Sequence, residues 1–421
     1  MASVQRRCHT TTDRFIPSRA AMNVDLCQYM LSSSSSSYVP DSSFKMPSHR
    51  DLLFNTLVAH ADDDSRLLRF RPRDRQPHPS MAPPPSTGRT TNRWKRRHVS
   101  PTRVLEAPDL RDDYYLNLLA WGPTLLAVAL DKLVYLYNVD TGSVSALNTL
   151  TSGEEYVTSV TWLSDRSLAV GTSDAQIQIW DVATSTKVRM LQPHEDRIGA
   201  LAWNAGQGVL SSGSKDAKIM LHDMKTPQGQ VATLRGHSQE VCGLAWSPDG
   251  KTLASGGNDN RLSLWDGPMS HAPRTTLMQH SAAVKALAWC PWERHLLASG
   301  GGTADRCIKI WQSHSGVLQQ SVQTGSQVCG LVWSPKGKEL LSSHGFSQNQ
   351  LCLWSYPRMT RLREFTGHSA RVLHISLSPD GRSVVSAAAD ETLRFWNVFS
   401  SAKSPVQPRL GTQLTTLGSI R

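Results

Sequence analysis

The 421-residue chain is short of several features that would point to chemistry. Its seven cysteines (Cys8, Cys27, Cys242, Cys290, Cys307, Cys329 and Cys352) are odd in number and include no C-x-x-C pair. That spacing excludes a zinc ribbon and argues against a disulfide framework; it fits reduced thiols in a cytosolic or nuclear protein. No apolar run reaches the ~20 residues that a membrane-crossing helix requires, and the N-terminus lacks the apolar centre of a secretory signal. There is no G-x-S-x-G elbow, Walker loop or H-E-x-x-H pair, so hydrolase, P-loop and zincin chemistry have no anchor. A soluble non-enzyme with no cofactor and no metal is expected.

Acidic residues are scarce at one end. Residues 1–103 hold 17 Lys+Arg against 8 Asp+Glu, a balance of 17 − 8 = +9 out of +11 for the whole chain. The same region carries Ser32–Ser37, Pro83–Pro85 and the basic run Arg93–Arg97. Such composition cannot build a packed core and predicts a disordered basic arm over residues 1–101 with short embedded binding motifs. Arg93–Arg97 suits nuclear import or an acidic surface. Its lone Trp94 is too little for stacking nucleic-acid bases. Residues 400–421 read as a short flexible tail.

Between these ends, a repeat governs residues 102–399. Seven strand-like runs end apolar-x-apolar-aromatic, with the last position at Tyr137, Trp180, His222, Trp265, Trp311, Trp354 and Trp396; the spacings are 43, 42, 43, 46, 43 and 42. A period of about 40–45 residues with four strands per unit is that of a WD-repeat β-propeller. The fold class is therefore all-β, a seven-bladed propeller. Little β pattern follows Trp396, so Arg103–Glu106, just before the first blade, is expected to supply the missing outer strand of the last blade and close the ring.

Histidine, serine and aspartate recur in register: His194, His237, His280 and His368 precede first strands, and Asp174, Asp216, Asp259, Asp305 and Asp390 stand six residues before the aromatic position. One such set resembles a hydrolase triad. Repetition once per blade makes it scaffolding, a buried hydrogen-bond chain. Gly300–Gly302 reads as a tight turn, not a phosphate cradle.

Short motifs add a specific resemblance. Asp13–Arg19 (DRFIPSR) resembles the C-box, and the final Ile420-Arg421 the Ile-Arg tail, of the Fizzy family of WD-repeat co-activators of the anaphase-promoting complex. Within the propeller, Asp113–Asn117 (DYYLN), Gly236–Cys242 (GHSQEVC), Ser255–Asn260 (SGGNDN) and Ala388–Thr392 (AADET) resemble its cell-division-cycle-twenty (Fizzy) branch. Physically, Arg14 and Arg19 offer bidentate guanidiniums. Phe15 and Ile16 supply apolar surface, and Pro17 lowers the cost of ordering. With Ile420 and Arg421 this makes a two-point attachment to helical-repeat subunits. Arg66, Leu67, Leu68 and Arg69, in the element 66–70, resemble the K-I-L-R segment that a spindle-checkpoint HORMA-domain protein binds, by a mode compatible with strand addition. Ser100 lies in a proline-directed, basic-flanked phosphorylation context.

The resemblance implies substrate reading by the propeller. Destruction-box binding falls on Glu106, where relatives commonly carry Asp, and on Glu391. KEN-box binding falls on Asp113, Tyr114, Asn258, Asn260, Thr303, Gln327 and Arg371, with Arg371 partnering the degron Glu and Asp113 its Lys. The implied partners are the ligase's helical-repeat subunits, mitotic cyclins and securin-like substrates, and the checkpoint protein, in nucleus and cytoplasm, without membrane or nucleic acid. Two rivals stand beside this reading. One is the Fizzy-related branch, active in late mitosis and G1. The other is a general WD-repeat scaffold whose basic tail binds nucleic acid with steep salt dependence. A propeller with an enzymatic site has almost no sequence support.

Overall fold

A computed structural model of the chain describes residues 99–399 apart from 151–152, 227–228 and 268–271. The C-box, the 66–70 element and the Ile-Arg tail lie outside the described residues. The described part forms seven four-stranded antiparallel sheets, and no helix occurs among the described residues. Six blades take their strands in sequence order. The seventh joins Val372–Leu377, Ser383–Ala388 and Thr392–Asn397 to Arg103–Glu106. Arg103 pairs with Phe395 and Glu106 with Thr392, as the missing pattern after Trp396 led one to expect.

Burial follows from each strand's place in its blade. A third strand such as Ile177–Asp181 is covered on both faces by neighbouring sheets and reads as a run of buried residues. An outermost strand such as Val317–Gln323 alternates exposed and half-buried positions, the period-two pattern of a strand with one wet face. The core sits between blades. Tryptophans closing several innermost strands reach back to the blade before: Trp162 donates to Ala120 O at 3.1 Å, Trp289 to Ala245 O at 3.0 Å and Trp333 to Ala288 O at 3.0 Å. Each indole thus adds apolar area and satisfies its own N–H while fixing one sheet against the next.

The innermost strands line the channel: Leu119–Trp121, Val157–Trp162, Ala200–Asn204, Val241–Trp246, Val284–Trp289, Val328–Trp333 and Val372–Leu377. Five of them shift register after their first residue, placing Thr158, Cys242, Lys285, Cys329 and Leu373 at bulges. A bulge re-aims the extra residue out of the ladder.

The glycine run departs from expectation. Gly300 and Gly301 end the strand Leu296–Gly301 rather than forming a turn. A Cβ at Gly300 would stand 2.4 Å from Val328 Cγ1, and one at Gly301 2.0 Å from Asp305 Oδ2. Close packing against the next blade and the buried carboxylate, not turn geometry, requires glycine there.

Candidate functional site

The His, Ser, Asp and Trp positions meet as scaffolding. In blade 5, Trp311 Nε1 donates to Ser299 Oγ at 2.7 Å, Ser299 Oγ lies 2.6 Å from His280 Nε2, and His280 Nδ1 lies 2.8 Å from Asp305 Oδ2. The indole donates to Ser299, so the serine hydrogen goes to Nε2 and the imidazole proton sits on Nδ1, aimed at the carboxylate. Blades 4 and 7 repeat the chain through His237, Ser255, Asp259 and Trp265 and through His368, Ser386, Asp390 and Trp396. Burial alone would raise the Asp305 carboxyl; its hydrogen bond to and charge interaction with His280 outweigh this and hold it at about 2. Each serine is committed at both ends and buried, so none is a free nucleophile.

Two other regions hold the residues that the family resemblance singles out. The first is the mouth of the channel. One repeat position, just before a buried apolar residue (Val157, Ile198, Val241, Val284, Val328 and Val372) at or shortly ahead of the innermost strand, supplies much of its rim: Tyr156, Arg197, Glu240, Ala283, Gln327 and Arg371. The segment Asp112–Tyr115 reaches several of these blades at once. Asp112 accepts from Arg371 Nε and, through its carbonyl, from Arg371 Nη2 at 2.8 Å. Asp113 accepts from Arg197 Nη1 at 2.7 Å, and Arg197 also forks onto Glu240 with two 2.8 Å bonds. The buried Tyr114 hydroxyl lies 3.2 Å from Val328 O and 3.4 Å from Ala283 O. Tyr115 donates to Asn258 Oδ1 at 2.9 Å.

The structure thus ties Asp113, Tyr114, Asn258 and Arg371 into one clasp. Gln327 joins Arg371 through Gly345, where a Cβ would meet Gln327 Oε1 at 2.9 Å and Arg371 Cβ at 3.5 Å. Asn260, with φ of 63°, occupies the same turn as Asn258, so turn chemistry also applies there. Thr303 is exposed; its carbonyl accepts from Arg306 Nε at 2.7 Å. Sequence reasoning missed Asp112, Arg197, Glu240 and Tyr115. The pair Arg197 and Glu240 was detectable as opposite charges one full repeat apart.

The second region is a 580 Å³ cleft between the closing strand and blade 1, with a largely aliphatic and aromatic lining that includes Leu105, Val128, Leu130 and Leu133, and acidic margins at Glu106 and Asp109. Glu106 and Glu391 are both exposed, and their backbones meet where Ala107 N donates to Glu391 O at 2.7 Å. Ser100 is exposed just ahead of the closing strand. No group of three or more metal-ligating side chains occurs among the described residues.

Comparison with known proteins agrees with this architecture. The sequence model of the CDC20/Fizzy WD40 domain matches residues 105–396. A protein of Arabidopsis thaliana described as "Cell division cycle 20.1, cofactor of APC complex" is 46% identical over 92% of this chain and 87% of its own length. "Protein FIZZY-RELATED 1" of the same plant is 44% identical over 93% of this chain and 86% of its own. A chain in the crystal structure of a mitotic checkpoint complex superposes with a TM-score of 0.70 at 45% identity, covering 80% of this chain and all of that one. The chain is a member of the CDC20/Fizzy family of WD40 propeller proteins.

Proposed function

We propose that this chain is the co-activator and substrate-recognition subunit of the anaphase-promoting complex ubiquitin ligase, presenting mitotic regulators for ubiquitination without catalysing the transfer. A relative described as a cofactor of that complex, 46% identical over nearly the whole chain, carries the reading. Catalysis then belongs to other subunits, and this chain contributes proximity. Arg14, Phe15, Ile16, Pro17 and Arg19 dock it at one point and Ile420-Arg421 at another. A destruction box, with its Arg and Leu three residues apart, finds carboxylates at Glu106 and Glu391 beside the apolar cleft. A KEN box finds the clasp at the mouth, where its Glu competes with Asp112 for Arg371. Its Lys joins Arg197 at Asp113. We place the protein in nucleus and cytoplasm.

The test is ubiquitination of a cyclin fragment by the purified ligase. Arg14→Ala with Arg19→Ala is expected to abolish activation while leaving the propeller's thermal midpoint unchanged; preserved activation sinks the docking claim. The Fizzy-related branch is a second reading, favoured by the 44% identity to a protein of that name. Binding of the checkpoint HORMA-domain protein to residues 66–70 decides for the Fizzy branch, and its failure decides against it.

A further inference from the structure

Arg197 and Arg371 both stand on the rim of the channel mouth, and they are held unequally. Every nitrogen of the Arg197 guanidinium is committed: Nε and Nη2 donate to Glu240 at 2.8 Å each, and Nη1 donates to Asp113 at 2.7 Å. Burial alone would lower this guanidinium; its hydrogen bond to Glu240 and the charges of Glu240 and Asp113 outweigh that and raise it. The side chains of Arg197 and Glu240 are only 16% and 7% exposed. A pair this enclosed resists displacement, because an intruding acid would strand a buried carboxylate.

Arg371 is held by one residue. Its Nε donates to the Asp112 carboxylate, and its Nη2 to the Asp112 carbonyl at 2.8 Å. Among the described residues its Nη1 meets no acceptor, and the Asp112 carboxylate takes no other hydrogen bond. The Asp112 side chain is 52% exposed against 19% for Arg371. The carboxylate can therefore turn out into water at little cost, while the carbonyl keeps hold of the arginine.

The neighbours of Asp112 deliver it to this place. Arg111 pairs with Asp131 at 2.6 Å and stacks 3.7 Å from the centre of the Tyr156 ring. Asp113 accepts from Tyr115 N at 2.8 Å as well as from Arg197. With the backbone fixed on both sides, only the Asp112 side-chain torsions separate the paired from the unpaired state. An acceptor tethered in this way faces Arg371 at high effective concentration. An acid arriving from solvent finds the charge of Arg371 already matched and meets a repelling carboxylate beside it.

We propose that Asp112 is a built-in competitor that sets the affinity and charge selectivity of the mouth, holding down the binding of KEN-type peptides by occupying the cation that their glutamate needs. Assignment of such peptides to Arg371 belongs to the co-activator reading, on which this rests.

Fluorescence anisotropy of labelled peptides on the full chain tests it. Asp112→Asn keeps the carbonyl tie to Arg371 and removes only the negative charge. A Lys-Glu-Asn peptide is expected to bind that variant about two- to fivefold more tightly than the unaltered chain, the gain shrinking as salt rises. The same peptide with Gln in place of Glu is expected to gain nothing. A destruction-box peptide is also expected to gain nothing, which shows in addition that the propeller is intact. An unchanged or weaker Lys-Glu-Asn affinity in the variant, with binding still lost in Arg371→Ala, overturns the competitor and leaves the co-activator reading standing. An equal gain for the Gln peptide also overturns it, because Asp112 would then not act through charge. Lys-Glu-Asn binding that is indifferent to Arg371→Ala, or absent from the unaltered chain and both variants, removes the KEN assignment and the competitor with it.

Discussion

The seven blades divide by how they satisfy their buried polar atoms. Blades 4, 5 and 7 carry a full chain from Trp through Ser and His to Asp. Blade 3 keeps His194, Ser212 and Asp216, but His222 replaces the indole, with Nε2 3.1 Å from Ser212 Oγ. Blade 6 joins Trp354 to Ser342 and Ser342 to His344, whose Nδ1 has no partner. Blade 2 has Gln178 under Trp180 and a separate Thr172, Asp174 and Gln176 group. Blade 1 has none of this; it belongs to an apolar cluster that also takes in Val157, Leu168, Phe395 and Leu393 from its neighbours. The polar chain is therefore one of two ways to lock a blade. Where it is absent, apolar contact with adjacent sheets takes its place.

Breaking the polar lock gives the largest expected loss. Asp305→Ala leaves the buried His280 Nδ1–H and the Ser281 N–H without their acceptor; each buried donor left unsatisfied costs about 1–3 kcal/mol. Denaturant unfolding measures this, and a loss below about 1 kcal/mol would show that blade 5 is held by packing alone.

The irregular blades should carry part of the acid sensitivity. Burial pushes both His222 and His344 down to about 4, from an ordinary 6.5. As pH falls below 6.5 the unfolded chain takes up protons that the folded imidazoles refuse until about 4, so stability is lost through that window. At about 1.4 kcal/mol per unit, each contributes about 3 kcal/mol. The double variant His222→Gln with His344→Gln should lower the slope of unfolding free energy against pH between those values, leaving the part due to His280, His368 and His374, whose burial also pushes them down; an unchanged slope refutes the assignment.

Two smaller changes set the lower end of the scale. Asp174→Ala in blade 2 removes an acceptor from Thr172 and Gln176 without orphaning a histidine, and is expected to cost about 1 kcal/mol by the same unfolding measurement. Arg111→Ala removes a pair with Asp131 whose side chains are 41% and 35% exposed, and a stack over Tyr156; about 0.5–1 kcal/mol follows, shrinking with salt. If Asp174→Ala proves as damaging as Asp305→Ala, the division of the blades fails.

Much of the fold was legible because a repeat states its period in every unit. The aromatic spacing located all seven blades, and the silence after Trp396 located the closing strand. Contacts between blades carried no such local signal. Tyr114 sits in a stretch that reads as a surface motif, yet its ring is buried beside Ala283 and Cys329 because Ala283 is the small member of the rim. Lys285 looked like an ordinary strand residue, since nothing in the sequence marks the bulge that turns it into the channel. The Gly300–Gly301 pair was misread for a related reason: the atoms that forbid a side chain belong partly to Val328, in the next blade. Glu106 and Glu391 were placed together only by resemblance, and the strand pairing that joins them links residues about two-thirds of the chain apart.

That pairing also ties the cleft to the completeness of the polypeptide. The closing strand begins beside Thr102, whose hydroxyl and amide both meet Phe395 O across 293 residues of sequence. At synthesis rates of about 5–20 residues per second the early strand waits roughly 15–60 s for its partner to be made. A chain cut short before Thr392 would still contain Glu106 and every residue of blade 1, yet Leu393, part of the cleft wall, would be missing and the closing strand unpaired. The cleft is thus a property of finished molecules alone.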